Sequence, residues 1–526
     1  MSRAAPLRRG RRLTSNSRWW QRWGQVSHSP IFLNGLLLVG ALLRIRQYLA
    51  NRSLWLDESM LALNVVGRSF ADLLKPLDYS QAAPLGFLLL VKAATQVAGQ
   101  GEYGLRLIPL LLGIISLPLF YKVARDLLIP AAVPLAVALF AILVPFTYYS
   151  SELKQYSGDV MVVLLLLAAA YPPPASGTYS LPRAVGLVLV GGAAVWLSHP
   201  AVFTLAAIGV VLLLPAMVRR PRQNAASVGL IAASWLASFA ATYYLSLRSI
   251  AANPVLSSWW SQEFVPPPVS KAAVNWWLNK FVDGSGVASI FADPAAFRPA
   301  GVALFAFLVG CAFMFVHHRQ RFWLLTSPLL FVLAASALGR YPFAGRLLLF
   351  VVPLLVLLVA YGAGSVIQTA GRSAPAVGVI LVGLLLFPVV RSADNAIAPE
   401  GREEIKPVLG YVARNRQPGD LVYVHFAARP AFDFYAPRYA GFPEVVAGSR
   451  MDDVDYVAIE SDLERLRHRG RVWILLSHTG QAEEDFFVAY LDRIGKRVDA
   501  VTATGASAYL YDLGARGGMP PAVGRP

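Results

Sequence analysis

Charge is what this chain has least of: 15% of its 526 residues are Asp, Glu, Lys or Arg, against 56% hydrophobic residues. Mean hydropathy is +0.52. A water-soluble fold would not carry so many long apolar runs, and the composition is that of a polytopic membrane protein. Cysteine occurs once, at Cys311, which excludes disulfides within the chain and any cysteine-based metal site, and leaves the redox compartment open. A glycine-rich nucleotide loop is lacking, as is any repeat of fixed period. Acidic residues are missing before Ile31, where Arg3, Arg8, Arg9, Arg11, Arg12, Arg18 and Arg22 stand instead; such a tail stays cytoplasmic under the positive-inside rule. No small-residue cleavage site follows the first apolar run, so the run reads as a span and not as a cleaved signal. The net charge of +17 would suit a nucleic-acid partner, but the basic residues gather in this tail and in short loops between apolar segments. Membrane orientation explains them better.

Spanning helices need about 20 apolar residues each, and the pattern predicts eleven. They fall near 28–48, 105–124, 130–148 and 159–171, then one rising to His199, one descending to Arg219 and Arg220, and further ones near 225–247, 299–316, 322–338, 346–364 and 375–391. The first outer loop, 49–104, holds two candidate surface helices near 59–74 and 84–98. A second long outer loop covers 248–298; its Trp259-Trp260 and Trp276-Trp277 pairs suit an interfacial aromatic belt, or stacking on a sugar or prenyl chain. Beyond 391 polar and apolar residues mix. Helix-like stretches at 402–416 and 483–494 alternate with strand-like runs at 421–426, 472–476 and 508–511, which predicts a small α/β domain. The expected organisation is a basic cytoplasmic tail (1–27), a transmembrane domain (28–391) and an extracytoplasmic α/β domain (392–526).

Polar residues collect on the outer side of that topology. The first loop gives Asp57, Glu58, Gln81 and Glu102, with Arg106 just inside the next span; the second gives Glu152, Lys154, Tyr156 and Asp159; the third gives His199; and the turn Gly339 to Arg346 adds Arg340 and Arg346. An outward-opening cavity lined with carboxylates and cations follows if the spans pack as a bundle. Each group also has a plainer reading. Asp57 and Glu58 sit where acids cap a helix beginning at Ser59, Glu152 and Lys154 would make an exposed interfacial pair, and a lone histidine such as His199 is more often a hydrogen-bonded interior residue. Arg44 and Arg46 stand at the outer end of the first span, against the positive-inside bias; a charge inside the bilayer is costly unless paired or functional. Either they snorkel to headgroups, or Arg44 meets an anion or Asp57.

The run Trp55-Leu56-Asp57-Glu58 after the first span, then Ala83-Pro84-Leu85-Gly86-Phe87, Gly101-Glu102-Tyr103-Gly104-Leu105-Arg106-Leu107 and the segment from Glu152 to Asp159, resembles the GT-C glycosyltransferases. It resembles in particular the type of the protein O-mannosyltransferases and the lipid A aminoarabinose transferases. The likeness covers about residues 30–210, more loosely the turn at 340–346, and the C-terminal domain only in layout. It implies a GT-C-like helical bundle in the inner (plasma) membrane and transfer of a sugar from a polyprenyl-phosphate carrier to an acceptor on the outer face. It implies Asp57 as general base, with inversion at the anomeric centre, and Glu58 in support, orienting the acceptor or helping to hold a divalent cation. In the family a second acid follows the third span; here Glu152 and Asp159 both offer it, around Lys154 and Tyr156.

Displacing a phosphate from an anomeric carbon needs a base for the acceptor proton and cations for the departing anion. Arginine's planar fork suits phosphate oxygens, which nominates Arg340, Arg346 and Arg44 for the carrier. His199, Gln81, Glu102 and Arg106 complete the expected cavity. Outer carboxylates permit Mg²⁺ or Mn²⁺, which prefer oxygen ligands, but no spacing compels a metal. The competing classes are a lipid or solute transporter, or a flippase, which would place polar residues at midplane and show repeats, and a non-catalytic envelope-assembly subunit. Neither explains acids concentrated at one interface. Which sugar moves, and whether protein, lipid or glycan accepts it, is open.

Overall fold

The computed structural model describes residues 29–267, 270–281, 300–370, 375–391, 399, 401–439, 442, 445–449 and 455–514. The basic tail at 1–27, part of the long loop at 248–298 and most of the junction at 392–400 lie outside the described residues.

The chain enters through α1 (Pro30–Leu49), started by Pro30 and by Ser29, whose Oγ accepts from the Phe32 N–H at 3.1 Å. A short loop leads to α2 (Leu56–Gly67) and α3 (Leu85–Ala98), the two helices expected in the first loop, with α2 starting three residues before Ser59. Then come α4 (Glu102–Leu127), α5 (Val133–Ile142), α6 (Val144–Tyr148), α7 (Tyr156–Ala170) and α8 (Leu181–Leu197). Next follow α9 (Ala201–Arg219) and α10 (Pro221–Ala251), α11 (Pro254–Trp259), α12 (Lys271–Phe281), α13 (Ala300–His317), α14 (Arg319–Ala337), α15 (Val352–Ala370) and α16 (Pro375–Arg391).

A helix lies at each of the eleven segments expected to span. Among the described residues five are long and apolar enough to cross a membrane: Pro30–Leu49, Glu102–Leu127, Ala201–Arg219, Pro221–Ala251 and Gly345–Ala370. A sixth crosses only as a broken pair, Pro130–Ile142 with Val144–Ser151, bent by 51°. The continuous span expected at 130–148 is therefore two pieces, and Pro145 is the reason: it has no N–H to give the Ala141 carbonyl one turn back. Arg44 supplies what the break removes. Its Nη1 donates to the Ala141 carbonyl at 3.0 Å and to the Gly40 carbonyl at 2.9 Å, and its Nη2 donates to the Phe140 carbonyl at 3.4 Å. Elsewhere the bundle closes on small residues. Gly310 of α13 and Gly362 of α15 face each other so closely that a Cβ on Gly362 would stand 1.9 Å from the Ala306 carbonyl oxygen, the close backbone approach that glycine permits between membrane helices.

The C-terminal part is an α/β unit: α17 (Ile405–Asn415), β1 (Leu421–Val424), α18 (Arg429–Tyr435), β2 (Val445–Ala447), α19 (Tyr456–Glu464), β3 (Arg471–Ser477), α20 (Gln481–Ile494), β4 (Lys496–Ala503) and β5 (Ala506–Asp512). The sheet order is β2-β1-β3-β5-β4. β1 pairs parallel with β2 and β3, whereas β5 runs antiparallel between β3 and β4. Buried on both faces, β1 and β3 read as continuous apolar runs and were visible in the sequence. β2 and β4 were not, because β2 is three residues long and β4 carries Lys496, Arg497 and Asp499 on an exposed edge.

This unit does not stand apart from the helical part. One face of its sheet joins Val408, Leu409, Phe432 and Tyr435 to Leu54, Leu61, Ala62, Phe87, Leu88 and Leu105 in a single buried apolar cluster. The other face, with Leu463, Phe487 and Leu491, forms a separate core under α19 and α20.

Candidate active site

Asp57 occupies the first turn of α2 and is the centre of a charge cluster. Its Oδ1 meets the Lys154 ammonium at 3.1 Å and accepts from the Gln81 amide at 3.1 Å, and its Oδ2 meets the Arg346 guanidinium at 2.6 Å. Lys154 also donates to Gln81 Oε1 at 2.7 Å. Burial on its own would raise the Asp57 carboxyl, but Lys154 and Arg346 together outweigh it and hold the group down at about 2. The side chain is half-buried, with 19% of its surface exposed. Four segments separated by up to nearly 300 residues meet here. α2 and the loop before α3 supply Asp57 and Gln81, the entry to α7 supplies Lys154 and Tyr156, and the short helical turn Gly345–Val351 supplies Arg346.

Aromatic rings seat the cations. The Arg346 guanidinium lies 5.0 Å from the Trp55 ring centre and 5.7 Å from that of Tyr156. A second guanidinium, from Arg402 at the start of the C-terminal unit, lies 4.7 Å from the same Trp55 ring and 4.9 Å from Tyr148. Trp55 therefore carries two cations, an arrangement that keeps positive charge close while each cation retains polar valences.

Glu58 is withdrawn from this surface. Arg106 grips it through Nε at 2.8 Å and Nη2 at 2.5 Å, with both side chains 2% exposed, and the Leu153 N–H donates to Glu58 Oε1 at 2.6 Å. Arg106 also donates to the carbonyls of Arg52 at 2.7 Å and Ser53 at 3.1 Å. The pair ties three segments together and holds Glu58 buried, away from the Asp57 cluster. Glu152 is the opposite case. It is fully buried, and among the described residues neither carboxylate oxygen meets a hydrogen-bond donor. Burial first, and then the charge of Glu58, pushes its carboxyl upward, while Arg402 and Arg346 pull it back. It is not an exposed interfacial partner of Lys154.

The remaining expected residues separate by position. Arg44 is committed to the carbonyls at the α5 break and stands outside the cluster. Glu102 is a docking residue and does not line the cavity: it pairs with Lys406 at 2.8 Å and Arg438 at 2.9 Å, and accepts from the Tyr435 hydroxyl at 3.0 Å, all from the C-terminal unit. Asp159 is buried in the first turn of α7 and outside the ion-pair cluster. Arg340 is exposed, ahead of the turn that carries Arg346. His199 is half-buried between α8 and α9.

Sequence reasoning missed Arg402, Glu403 and His478. The signal for the first two was present: Arg402-Glu403-Glu404 is a run of three charges at the end of the apolar part of a charge-poor chain. His478 had no such mark, since only the fold brings the turn after β3 to Trp55, with ring centres 6.3 Å apart.

The donor set does not fit a dedicated divalent-metal site. Both oxygens of Asp57 and both of Glu58 are already taken by cationic or amide donors, which leaves Glu152 as one carboxylate where Mg²⁺ or Ca²⁺ sites use several oxygens. Among the described residues no group of three or more His, Cys, Asp or Glu side chains is arranged to hold a metal ion.

With this geometry in place, the fold can be set beside those of solved proteins. No family model matches the sequence, and no curated protein does either. Among solved structures, ArnT from Cupriavidus metallidurans bound to undecaprenyl phosphate superposes with a TM-score of 0.54 at 14% identity, over 91% of this chain and 98% of that one. Its apo state gives 0.51 at 13% identity over the same shares, 91% and 98%. The Archaeoglobus fulgidus oligosaccharyltransferase in the apo form gives 0.50 at 11% identity, over 94% of this chain and 75% of that one. At such identities the likeness is one of fold.

Proposed function

We propose that this protein is a membrane glycosyltransferase that moves a sugar from a polyprenyl-phosphate-linked donor to an acceptor hydroxyl on the outer face of the plasma membrane, with the N-terminus cytoplasmic and the C-terminal unit extracytoplasmic. The observation that carries the reading is Asp57, an accessible carboxylate held between Lys154 and Arg346 on a fold shared with an undecaprenyl-phosphate-bound ArnT.

The chemistry divides between partners. A base takes the acceptor proton, the acceptor oxygen attacks the anomeric carbon, and the bond from that carbon to the phosphate oxygen breaks, leaving a phosphate anion. Lys154 and Arg346 receive that anion, Arg346 through its planar fork. A carboxyl held at about 2 is a poor base at neutral pH. The same two cations that depress it are the phosphate ligands, however, so donor binding draws them off Asp57. Burial, then opposed by the Gln81 hydrogen bond alone, raises the carboxyl toward the range where it takes a proton. In this reading the resting ion pairs are a latch that the donor releases, and a single in-line displacement inverts the anomeric centre. Glu152 lies buried behind this cluster, its carboxyl pushed upward by burial and by the charge of Glu58. An apolar groove of about 230 Å³ between α7 and α8, lined by Val162, Leu165, Leu189 and Val190, suits a prenyl chain, and the eleven helices fit as eleven spans, some of them tilted or short.

Membranes carrying the protein, incubated with radiolabelled polyprenyl-phosphate sugars, are expected to yield a labelled product absent from membranes without it. Identifying that product names both sugar and acceptor. No label transfer from any polyprenyl-phosphate sugar would overturn the reading.

A further inference from the structure

The helix that carries Asp57 begins without a cap of its own. Position Trp55, its N-cap, offers no side-chain acceptor, where Ser, Thr, Asp or Asn would ordinarily satisfy a first-turn N–H. The acceptor comes instead from about 350 residues away: Glu403 Oε2 receives the Leu56 N–H at 2.8 Å. Its neighbours do the same for the preceding loop. Glu404 receives the Ser53 N–H at 3.1 Å and the Ser53 hydroxyl at 2.9 Å, and the Tyr435 hydroxyl receives the Leu54 N–H at 2.8 Å.

Glu403 is in turn gripped by His478, whose Nδ1 lies 2.6 Å from Glu403 Oε1. His478 is held at φ 60°, a left-handed conformation uncommon outside glycine, immediately after β3. The strip is also pinned from behind. The Glu404 N–H donates to the Thr504 carbonyl at 2.7 Å, and a Cβ on Gly505 (φ +62°) would stand 2.1 Å from the Arg402 carbonyl oxygen. At the other end of α2, the Lys92 ammonium donates to the carbonyls of Val65 at 2.9 Å and Val66 at 3.3 Å. A carboxylate at the first turn and an ammonium at the last both match the helix dipole.

We propose that Glu403 and His478 are a positioning couple: through the Leu56 N–H the C-terminal unit sets the register of the Asp57 helix against Lys154 and Arg346. This rests on the sugar-transfer reading above for its consequence, though not for its geometry. Neither residue touches the reacting atoms. Their effect is on where Asp57 stands, and displacements of about 1 Å at such a centre cost on the order of 100-fold in rate.

His478 gives the couple a pH dependence. The Glu403 hydrogen bond first, against burial, and then the charges of Glu403 ahead of α17, Asp57 on α2 and Glu483 on α20 raise its imidazolium above the ordinary value of 6.5, with the Arg402 guanidinium also close, over the same Trp55 ring. The grip is complete below about pH 6.5 and weakens as pH climbs through the raised value.

The test uses the full chain in lipid nanodiscs and two readouts, steady-state transfer from a polyprenyl-phosphate sugar and hydrogen exchange of the peptide covering 53–58. Glu403→Ala is expected to lower kcat roughly 10- to 100-fold with the donor KM little changed, and to speed exchange in 53–58 while other helices keep their protection. Glu403→Gln restores part of both, because its one amide oxygen accepts from Leu56 while its NH2 faces His478. His478→Gln is expected to flatten the alkaline fall in kcat. Unchanged exchange at 53–58 in Glu403→Ala, or faster exchange spread over the whole chain, would overturn the positioning role. If the wild-type chain transfers no sugar, the transfer reading fails and the exchange arm still decides the couple.

Discussion

Asp57 and Glu58 are neighbours in sequence with opposite assignments, and the difference is one of partners. On a helix, adjacent residues point about 100° apart, so one turns to the open cluster and the other to buried Arg106. Removing one member of a buried ion pair leaves the other charged and unpaired, which costs about 3–5 kcal/mol. Arg106→Ala is accordingly expected to destabilise the protein by about that amount, read as a fall in melting temperature, and to do so with or without substrate. Arg346→Ala should behave differently: little loss of stability, a weakened grip on the donor seen as a raised KM, and an Asp57 carboxyl that titrates upward from about 2 toward its ordinary range. That shift can be followed by the acid limb of the rate profile. Gly505→Ala places a methyl group 2.1 Å from the Arg402 carbonyl. It is expected to push the 402–404 strip off the Asp57 helix and lower the melting temperature.

Helices were legible where their composition was uniform and illegible where a distant side chain decided their course. The apolar runs located a helix at each segment expected to span, and Pro145 is the local residue that breaks the one at 130–148 after Ile142; what no local pattern held is the Arg44 side chain of α1 that satisfies the freed carbonyls. The sequence logic that found Arg44 conspicuous was sound; its cause was a helix break and not an anion. Arg44→Met leaves those carbonyls buried and unpaired at about 1–3 kcal/mol each, so it is expected to lower thermal stability while leaving donor affinity alone. In the same way α2 was expected as a surface helix beginning at Ser59 with Asp57 and Glu58 as its caps, whereas it starts at Leu56, carries both acids in its first turn and is largely buried. Its true N-terminal acceptor was not legible, because Glu403 lies across the fold.

At the scale of the whole molecule, the boundary drawn at 391–392 separates two compositions and not two independent units. Leu54, Leu61 and Phe87 share a buried cluster with Val408, Phe432 and Tyr435, and Glu102 is neutralised by Lys406 and Arg438 across the same junction. The sequence reading took Glu102 for a cavity residue because its depth in the topology was right; depth alone does not say which neighbour faces it. A chain ending before Arg402 is expected to lose this shared core and to run as aggregate on size exclusion. The cluster itself was largely readable, since the expected topology gathered Asp57, Gln81, Lys154, Tyr156 and Arg346 to one side, and the fold brings them together. What the fold adds is their pairing, which turns a list of polar residues into one carboxylate held by two cations.

The measurement that bears most directly on this account is turnover by purified Asp57→Asn with a polyprenyl-phosphate sugar, beside a wild-type control and a melting curve. Asparagine keeps the shape and can still accept from Lys154, but it cannot take a proton. The account predicts an intact, folded protein with transfer abolished. Undiminished turnover by that variant would contradict it.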